Sequence, residues 1–169
     1  MSARPARLTL VLGGARSGKS AHAEALVTAL PPPWVYVATA QAFDAEMAAR
    51  VAAHRARRAE GWRTIESPLD LPAALAGDRP VLVDCLTLWL TNLMLSDRDI
   101  AAATAALDAA LDARAAPTVM VANEVGLGIV PENALARSFR DAAGRLHQHL
   151  AARAESVLFM VAGLPMRVK

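Results

Sequence analysis

The stretch "LTLVLGGARSGKSAHAEAL", residues 8–26, decides how the rest of the chain is read. An apolar run with β-strand character ends at Gly13. Four residues on come Gly18, Lys19 and Ser20, followed by an alanine-rich stretch with helical character. This is the spacing G-x-x-x-x-G-K-[ST] set between a strand and a helix, the context that gives the motif its meaning. The glycines let successive backbone N–H groups converge on phosphate oxygens, and the helix N-terminus adds its partial positive charge. Gly13, Gly14, Ala15, Arg16, Ser17, Gly18, Lys19 and Ser20 are therefore the expected phosphate cradle. Lys19 is expected to reach the β and γ phosphates and Ser20 to ligate Mg²⁺. A glycine turn with no ligand is the alternative, and the flanking strand and helix argue against it.

Working outward, short apolar runs alternate with helical patterns: "RLTLVLG" (7–13), "WVYVATA" (34–40), "PVLVDCL" (80–86), "TVMVANE" (118–124) and "SVLFMVAG" (156–163). Continuous apolar runs suit strands buried on both faces, so the alternation predicts a mostly parallel sheet with helices on both sides. With the phosphate loop, the expected fold is a three-layer α/β P-loop NTPase of the RecA-like kind. Helices are expected over 18–30, stopped by the prolines at 31–33, over 97–115, opening at Asp97, and over 132–154, entered through Pro131. In the last, Leu135, Phe139, Ala142, Leu146 and Leu150 recur at helical spacing and are read as its core face. A short strand at "RTIES" (63–67) is a further possibility.

The chain of 169 residues is long enough for one domain with a real core and short for two, so residues 1–169 are read as a single domain. The net charge is only +2 and the pI about 9.2, a slight basic excess that does not argue for nucleic acid. Cys85 is the only cysteine, which excludes an internal disulfide framework and fits a reducing, cytoplasmic setting. Its plain reading is a small buried hydrophobe. No apolar run approaches the ~20 residues that span a bilayer, and "MSARPARL" lacks the pattern of a signal peptide.

A phosphate loop works with an acid at a neighbouring strand end, which holds the magnesium directly or through water. Asp84, closing "PVLV", is the best candidate and Glu124 the other; an N-cap role for Asp84 is the structural alternative. In "QAFDAEMAARVAAHRARR" (41–58), Arg50, His54 and Arg57 or Arg58 share one helical face, beside Met47 and Val51. Over the phosphate loop, such a face would offer arginine forks to a triphosphate and an imidazole to a phosphorus. A solvated basic helix end with an incidental histidine is the competing reading. His22, His147 and His149 read as structural or surface residues.

Taken together, "GGARSGKSAHAEAL", "YVATA", "DAEMAARVAAHRARRAEGWRTIESP", "VDCLTLWLTNLM" and "NEVGLGIVPENALARSFRDAAGRLHQHLA" resemble the bifunctional adenosylcobinamide kinase and adenosylcobinamide-phosphate guanylyltransferase of cobalamin biosynthesis. The likeness runs from about residue 8 to the C-terminus. It implies phosphorylation of adenosylcobinamide by ATP or GTP, then transfer of GMP from GTP to adenosylcobinamide phosphate. The second step in that family passes through a histidine carrying GMP, and the matching residue is His54. The resemblance also implies nucleotide contacts from Gly13 to Ser20, from Ala38, Thr39 and Ala40, from Arg55, Ala56, Arg57 and Arg58, and from Glu66 and Asp84. Mg²⁺ would sit at Ser20 and Asp84, with Lys19 and His54 as the catalytic pair and a homotrimer as the assembly. One departure is "GRLHQ", where His147 replaces the asparagine expected in that family. A P-loop kinase without guanylyl transfer is the nearest rival. A RecA-like nucleic-acid ATPase ranks last, since three Trp, three Phe and one Tyr offer little for base stacking and the arginines are dispersed.

Overall fold

The computed structural model describes residues 5–41 and 60–169. In chain order the elements are β1 (Leu8–Gly13), α1 (Lys19–Thr28), β2 (Trp34–Ala38), β3 (Trp62–Glu66), α2 (Leu71–Ala74), β4 (Val81–Asp84), α3 (Leu86–Leu95), α4 (Ile100–Asp112), β5 (Thr118–Asn123), α5 (Ala134–Arg153), β6 (Ser156–Val161) and β7 (Leu164–Arg167). The strands form one seven-stranded sheet in the order β3-β2-β4-β5-β1-β6-β7. Every pairing is parallel except β6 with β7. Strand β5 lies between β1 and β4, so the phosphate-loop strand and the strand ending in Asp84 are two places apart.

Alternate side chains along these apolar strands enter two separate cores, as the period of a strand requires. Val11, Tyr36, Leu82, Val119 and Val121 pack with Ala23 and Val27 of α1 on one face. Leu10, Val37, Val83, Met120 and Ala122 pack on the other, under α3, α4 and α5. The expected three-layer α/β P-loop architecture of the RecA-like kind is the one observed.

Helix α2 and strand β7 have no counterpart in the sequence reading, and three further elements depart from it. The run "LTLWLTNLML" forms α3, a helix that the sequence reading touches only through the N-cap alternative for Asp84. Its polar positions are few, and Trp89 and Leu90 are fully buried, so a helix sunk in the core shows no amphipathic stripe. Helix α4 is capped by Asp99 instead of opening at Asp97: the Asp99 carboxylate accepts from the N–H groups of Ala101 and Ala102 at 2.8 and 3.1 Å. In α5, Ala142, Leu146 and Leu150 are buried and Phe139 half-buried as expected, but Leu135 is 58 % exposed. It lies in the first turn, just after the Asn133 cap, and is not among the residues packed against either core.

Trp89 joins the large core to the loop before α2. Its ring is fully buried, and its indole N–H donates to the carbonyl of Leu69 at 2.8 Å. Trp89→Ala is expected to cost about 3–5 kcal/mol of stability. Urea denaturation followed by far-UV circular dichroism should show a lower midpoint of that size.

Candidate active site

The phosphate loop leaves β1 at Gly13 and enters α1 at Lys19. Two glycines in it have steric reasons. A Cβ on Gly13 would lie 2.6 Å from Ser17 Oγ and 3.0 Å from the Met160 carbonyl. Gly18 has φ +89°, a left-handed conformation that side chains resist, and a Cβ there would stand 3.2 Å from Gly163 Cα. Gly163 belongs to the β6–β7 turn, and its N–H donates to the Ser17 carbonyl at 3.0 Å. From the other side, the Glu124 N–H donates to the Gly13 carbonyl at 3.0 Å. The loop is thus gripped by backbone at both ends, while Gly14, Ala15 and Arg16 face solvent.

Lys19 folds back over this loop, its Nζ donating to the Gly14 carbonyl at 2.8 Å. The residue is buried, and burial pulls the ammonium below the ordinary lysine range; Cys85 and the Asp84 carboxylate pull the other way. A buried cation with most of its donors still unspent is well suited to multiply charged phosphate.

Asp84, at the end of β4, accepts from the Tyr36 hydroxyl at 2.7 Å through Oδ2. It is not the cap of α3, because Cys85 holds that position without any side-chain cap. The thiol of Cys85 is buried and pushed up by that burial first and by Asp84 second, as a small core side chain would be. Ala38 is in register with both Glu66 and Asp84, so Glu66, Ala38 and Asp84 form one row across β3, β2 and β4. At about 4.8 Å per strand, Glu66 is about 19 Å across the sheet from β1, and Asp84 about 10 Å.

Thr39 is spent inside the protein. Its hydroxyl donates to the Cys85 carbonyl at 2.7 Å and accepts from the Cys85 N–H at 2.8 Å, while Asn92 Nδ2 donates to its carbonyl. It ties β2 to the β4–α3 junction and so fixes the path of Ala38–Ala40. Arg50, His54, Arg55, Ala56, Arg57 and Arg58 lie outside the described residues. Of the remaining histidines, His22 is half-buried on α1 and His149 pairs with Asp108 at 2.8 Å. His147 is buried, with Nδ1 3.7 Å from Glu124 Oε2.

Sequence reasoning missed Tyr36, Asn92 and Gly163. Tyr36 sits in an apolar strand, where its hydroxyl gives no signal, and Asn92 in a helix that was not foreseen. The Ala162-Gly163 pair at the end of "SVLFMVAG" turns with both residues at positive φ, and of the two only the glycine hints at it in the sequence, since alanine disfavours that conformation.

A strand–loop–helix cradle with a buried lysine and a strand-end carboxylate two strands away defines a P-loop nucleotide-binding protein of the RecA-like class. Comparison with known proteins narrows this. The family model described as cobinamide kinase / cobinamide phosphate guanyltransferase matches residues 9–168, and the chain belongs to that family. It is 51 % identical to the bifunctional adenosylcobalamin biosynthesis protein CobP of Pseudomonas aeruginosa, covering 95 % of this chain and 96 % of that one. It is 45 % and 44 % identical to the bifunctional adenosylcobalamin biosynthesis proteins CobU of Salmonella typhimurium and Escherichia coli, covering 96 % of this chain and 99 % of each of those.

Gly18→Ala puts a Cβ where the backbone is left-handed and Gly163 is close, at an intrinsic cost of about 1–2 kcal/mol. Calorimetric titration with Mg-GTP is expected to show at least tenfold weaker binding, with a melting temperature a few degrees lower.

Proposed function

We propose that this chain phosphorylates the hydroxyl of adenosylcobinamide with ATP or GTP and then transfers GMP from GTP to the resulting phosphate. The observation that carries the reading is the braced cradle with Lys19 turned into it, in a chain that belongs to the cobinamide kinase / cobinamide phosphate guanyltransferase family over 9–168. In the first reaction the acceptor oxygen attacks the γ-phosphorus and the nucleoside diphosphate leaves with the bonding pair. Backbone N–H groups of Gly13–Ser20 and the Lys19 ammonium hold the phosphates and the charge that builds on them.

Mg²⁺ suits the donors present. A hydroxyl from Ser20 and a carboxylate from Asp84 are hard oxygen ligands, few enough to leave places for water and phosphate. When bound, it would neutralise charge on the triphosphate. Asp84 keeps its orientation through Tyr36, and Ala38, Ala40 and Glu66 extend the nucleotide site at the same end of the sheet, while Thr39, expected among the contacts, is fully buried with its polar groups engaged internally and serves only to position its neighbours. One domain carries both reactions.

In the second reaction His54 attacks the α-phosphorus of GTP and pyrophosphate departs, leaving GMP as a phosphoramidate. A phosphate oxygen of the acceptor then takes the GMP and frees the imidazole. Arg55, Arg57 and Arg58, with the backbone at Ala56, hold the nucleotide for that step. Family membership and the basic pattern of 50–58 support this assignment.

The assembly is a homo-oligomer, a trimer by family resemblance. Exposed apolar side chains support it: Leu164, Met166 and Val168 along β7 and the terminus, and Leu127 and Ile129 after β5. Among the described residues no helix is long and apolar enough to cross a membrane.

Wild-type protein given α-labelled GTP and Mg²⁺ without acceptor is expected to take up acid-labile, alkali-stable label. His54→Ala should take up none while still phosphorylating the acceptor, and Lys19→Ala should lose at least tenfold in phosphorylation. Label retained by His54→Ala would place the nucleophile elsewhere, and unlabelled wild type with intact phosphorylation would leave a kinase alone. Light scattering should return a mass near three chains of 17.8 kDa; a fully active monomer would overturn the oligomer.

A further inference from the structure

The kinase reaction needs a group to receive the proton of the acceptor hydroxyl, and nothing so far assigned performs that task. Two strand-end carboxylates stand near the phosphate loop, on opposite sides of the sheet. Leu82 packs toward α1, so Asp84, two residues on, belongs to the α1 side with Lys19 and Ser20. Ala122 packs into the core on the side of α3, α4 and α5, and Glu124, two residues on, leaves the sheet on that side. The γ-phosphate end of the cradle lies where the lysine reaches, and Lys19 Nζ rests on Gly14. Glu124 is next to it, its N–H on the carbonyl of Gly13.

The carboxylate of Glu124 is held in an unusual way. Its Oε1 accepts from the Gly126 N–H at 2.5 Å, and its Oε2 faces His147 Nδ1 at 3.7 Å. Its side chain is 22 % exposed, and among the described residues no arginine or lysine lies within ion-pair distance of it. His147 is 6 % exposed, and neither ring nitrogen has a hydrogen-bond partner among the described residues. An unmet buried imidazole is costly, so a well-packed helix has reason to carry one only where a partner comes within reach. A closure of about half an ångström would turn the 3.7 Å approach into a hydrogen bond.

We propose that Glu124 is the base of the phosphoryl-transfer step and that His147 is a positioning residue that holds its carboxylate. As the acceptor oxygen bonds to the γ-phosphorus and the bond to the β-phosphate oxygen breaks, the hydroxyl proton passes to Glu124. The nucleoside diphosphate leaves with the bonding pair. His147, carrying its proton on Nδ1, donates to Oε2 and leaves the carboxylate's remaining lone pairs for the acceptor. Burial pulls the His147 imidazole below the usual histidine value, against Glu124, which keeps the ring neutral near pH 7. Helix α5 packs on β1 and α3, which like β5 carry no ionisable side chain, and it meets α4 through Asp108 and Asp112, which pair with His149 and Arg153; Glu124 is the charged group at His147.

The assignment rests on the kinase reading above, and the test separates the two. With full-length protein, phosphorylation of the corrinoid acceptor and uptake of α-label from GTP are measured side by side. Glu124→Gln should lower the phosphorylation kcat by about 10²-fold or more, with a far smaller change in nucleotide KM. Its phosphorylation should fall at least tenfold further than its uptake of label, and Glu124→Asp should recover part of the loss. His147→Phe should lower kcat and move the acid limb of the kinase pH profile to higher pH, because a carboxylate stripped of a donor holds its proton more readily. His147→Asn, whose amide can donate in the same place, should restore both. A Glu124→Gln enzyme that phosphorylates at the wild-type rate overturns the base. A His147→Phe enzyme that folds, by circular dichroism, with an unmoved profile overturns the positioning role. If wild type itself transfers no phosphoryl group, the kinase reading fails first.

Discussion

The structure depends on how the backbone grips the loop from Gly13 to Ser20. A run of converging N–H groups carries like partial charges and does not stay bent unless its carbonyls are tied down elsewhere. Here the Gly13 carbonyl is held by Glu124, the Gly14 carbonyl by Lys19 and the Ser17 carbonyl by Gly163. Those donors come from the end of β5, the start of α1 and the β6–β7 turn. The sheet order puts β1 between β5 and β6, so that the first and last of these flank the loop. The apolar runs that bury the strands on both faces are therefore what place the cradle. At Gly13, against Ser17 and Met160, and at Gly18, against Gly163, that packing leaves no room for a side chain.

From this frame the two carboxylates acquire different surroundings. Asp84 shares its face with Lys19 and is oriented by Tyr36, which suits a ligand for phosphate-bound metal. Glu124 emerges on the face of α5, beside an imidazole rather than beside a cation. Strand alternation alone separates them: Leu82 and Ala122 already look to opposite cores, and each carboxylate lies two residues further along its strand. The proposed acid–base and charge-neutralising roles thus fall on opposite faces of the sheet.

Much of the fold was legible in the sequence because its requirements are local. Residues 8–26 hold strand, loop and helix in one window, and the apolar runs of β2, β4, β5 and β6 announce themselves by length and composition. Helix α3 was hidden because its residues are apolar nearly all round, so that burial erased the periodicity that marks a surface helix. Strand β7 was hidden by Pro165, which an edge strand tolerates and a central one does not. At the site, the cradle and Asp84 were legible from spacing and strand ends. The pairing of Glu124 with His147 was not, because it joins the end of a strand to the middle of a helix 23 residues later, a separation that no local period encodes. The histidine of 41–58 was read from its helical face and from family likeness, and residues 42–58 lie outside the described residues.

The central claim is that the gripped loop holds the triphosphate and that Lys19 and Asp84 serve it from the α1 side. A crystal structure of the protein with Mg²⁺ and the β,γ-imido analogue of GTP tests it most directly. The β-phosphate should lie within hydrogen-bonding distance of backbone N–H groups of residues 14–20. Lys19 Nζ should contact the β and γ oxygens, and the metal should lie between Ser20 and Asp84. A triphosphate bound away from Gly13–Ser20, with Lys19 still on the Gly14 carbonyl alone, would contradict the account.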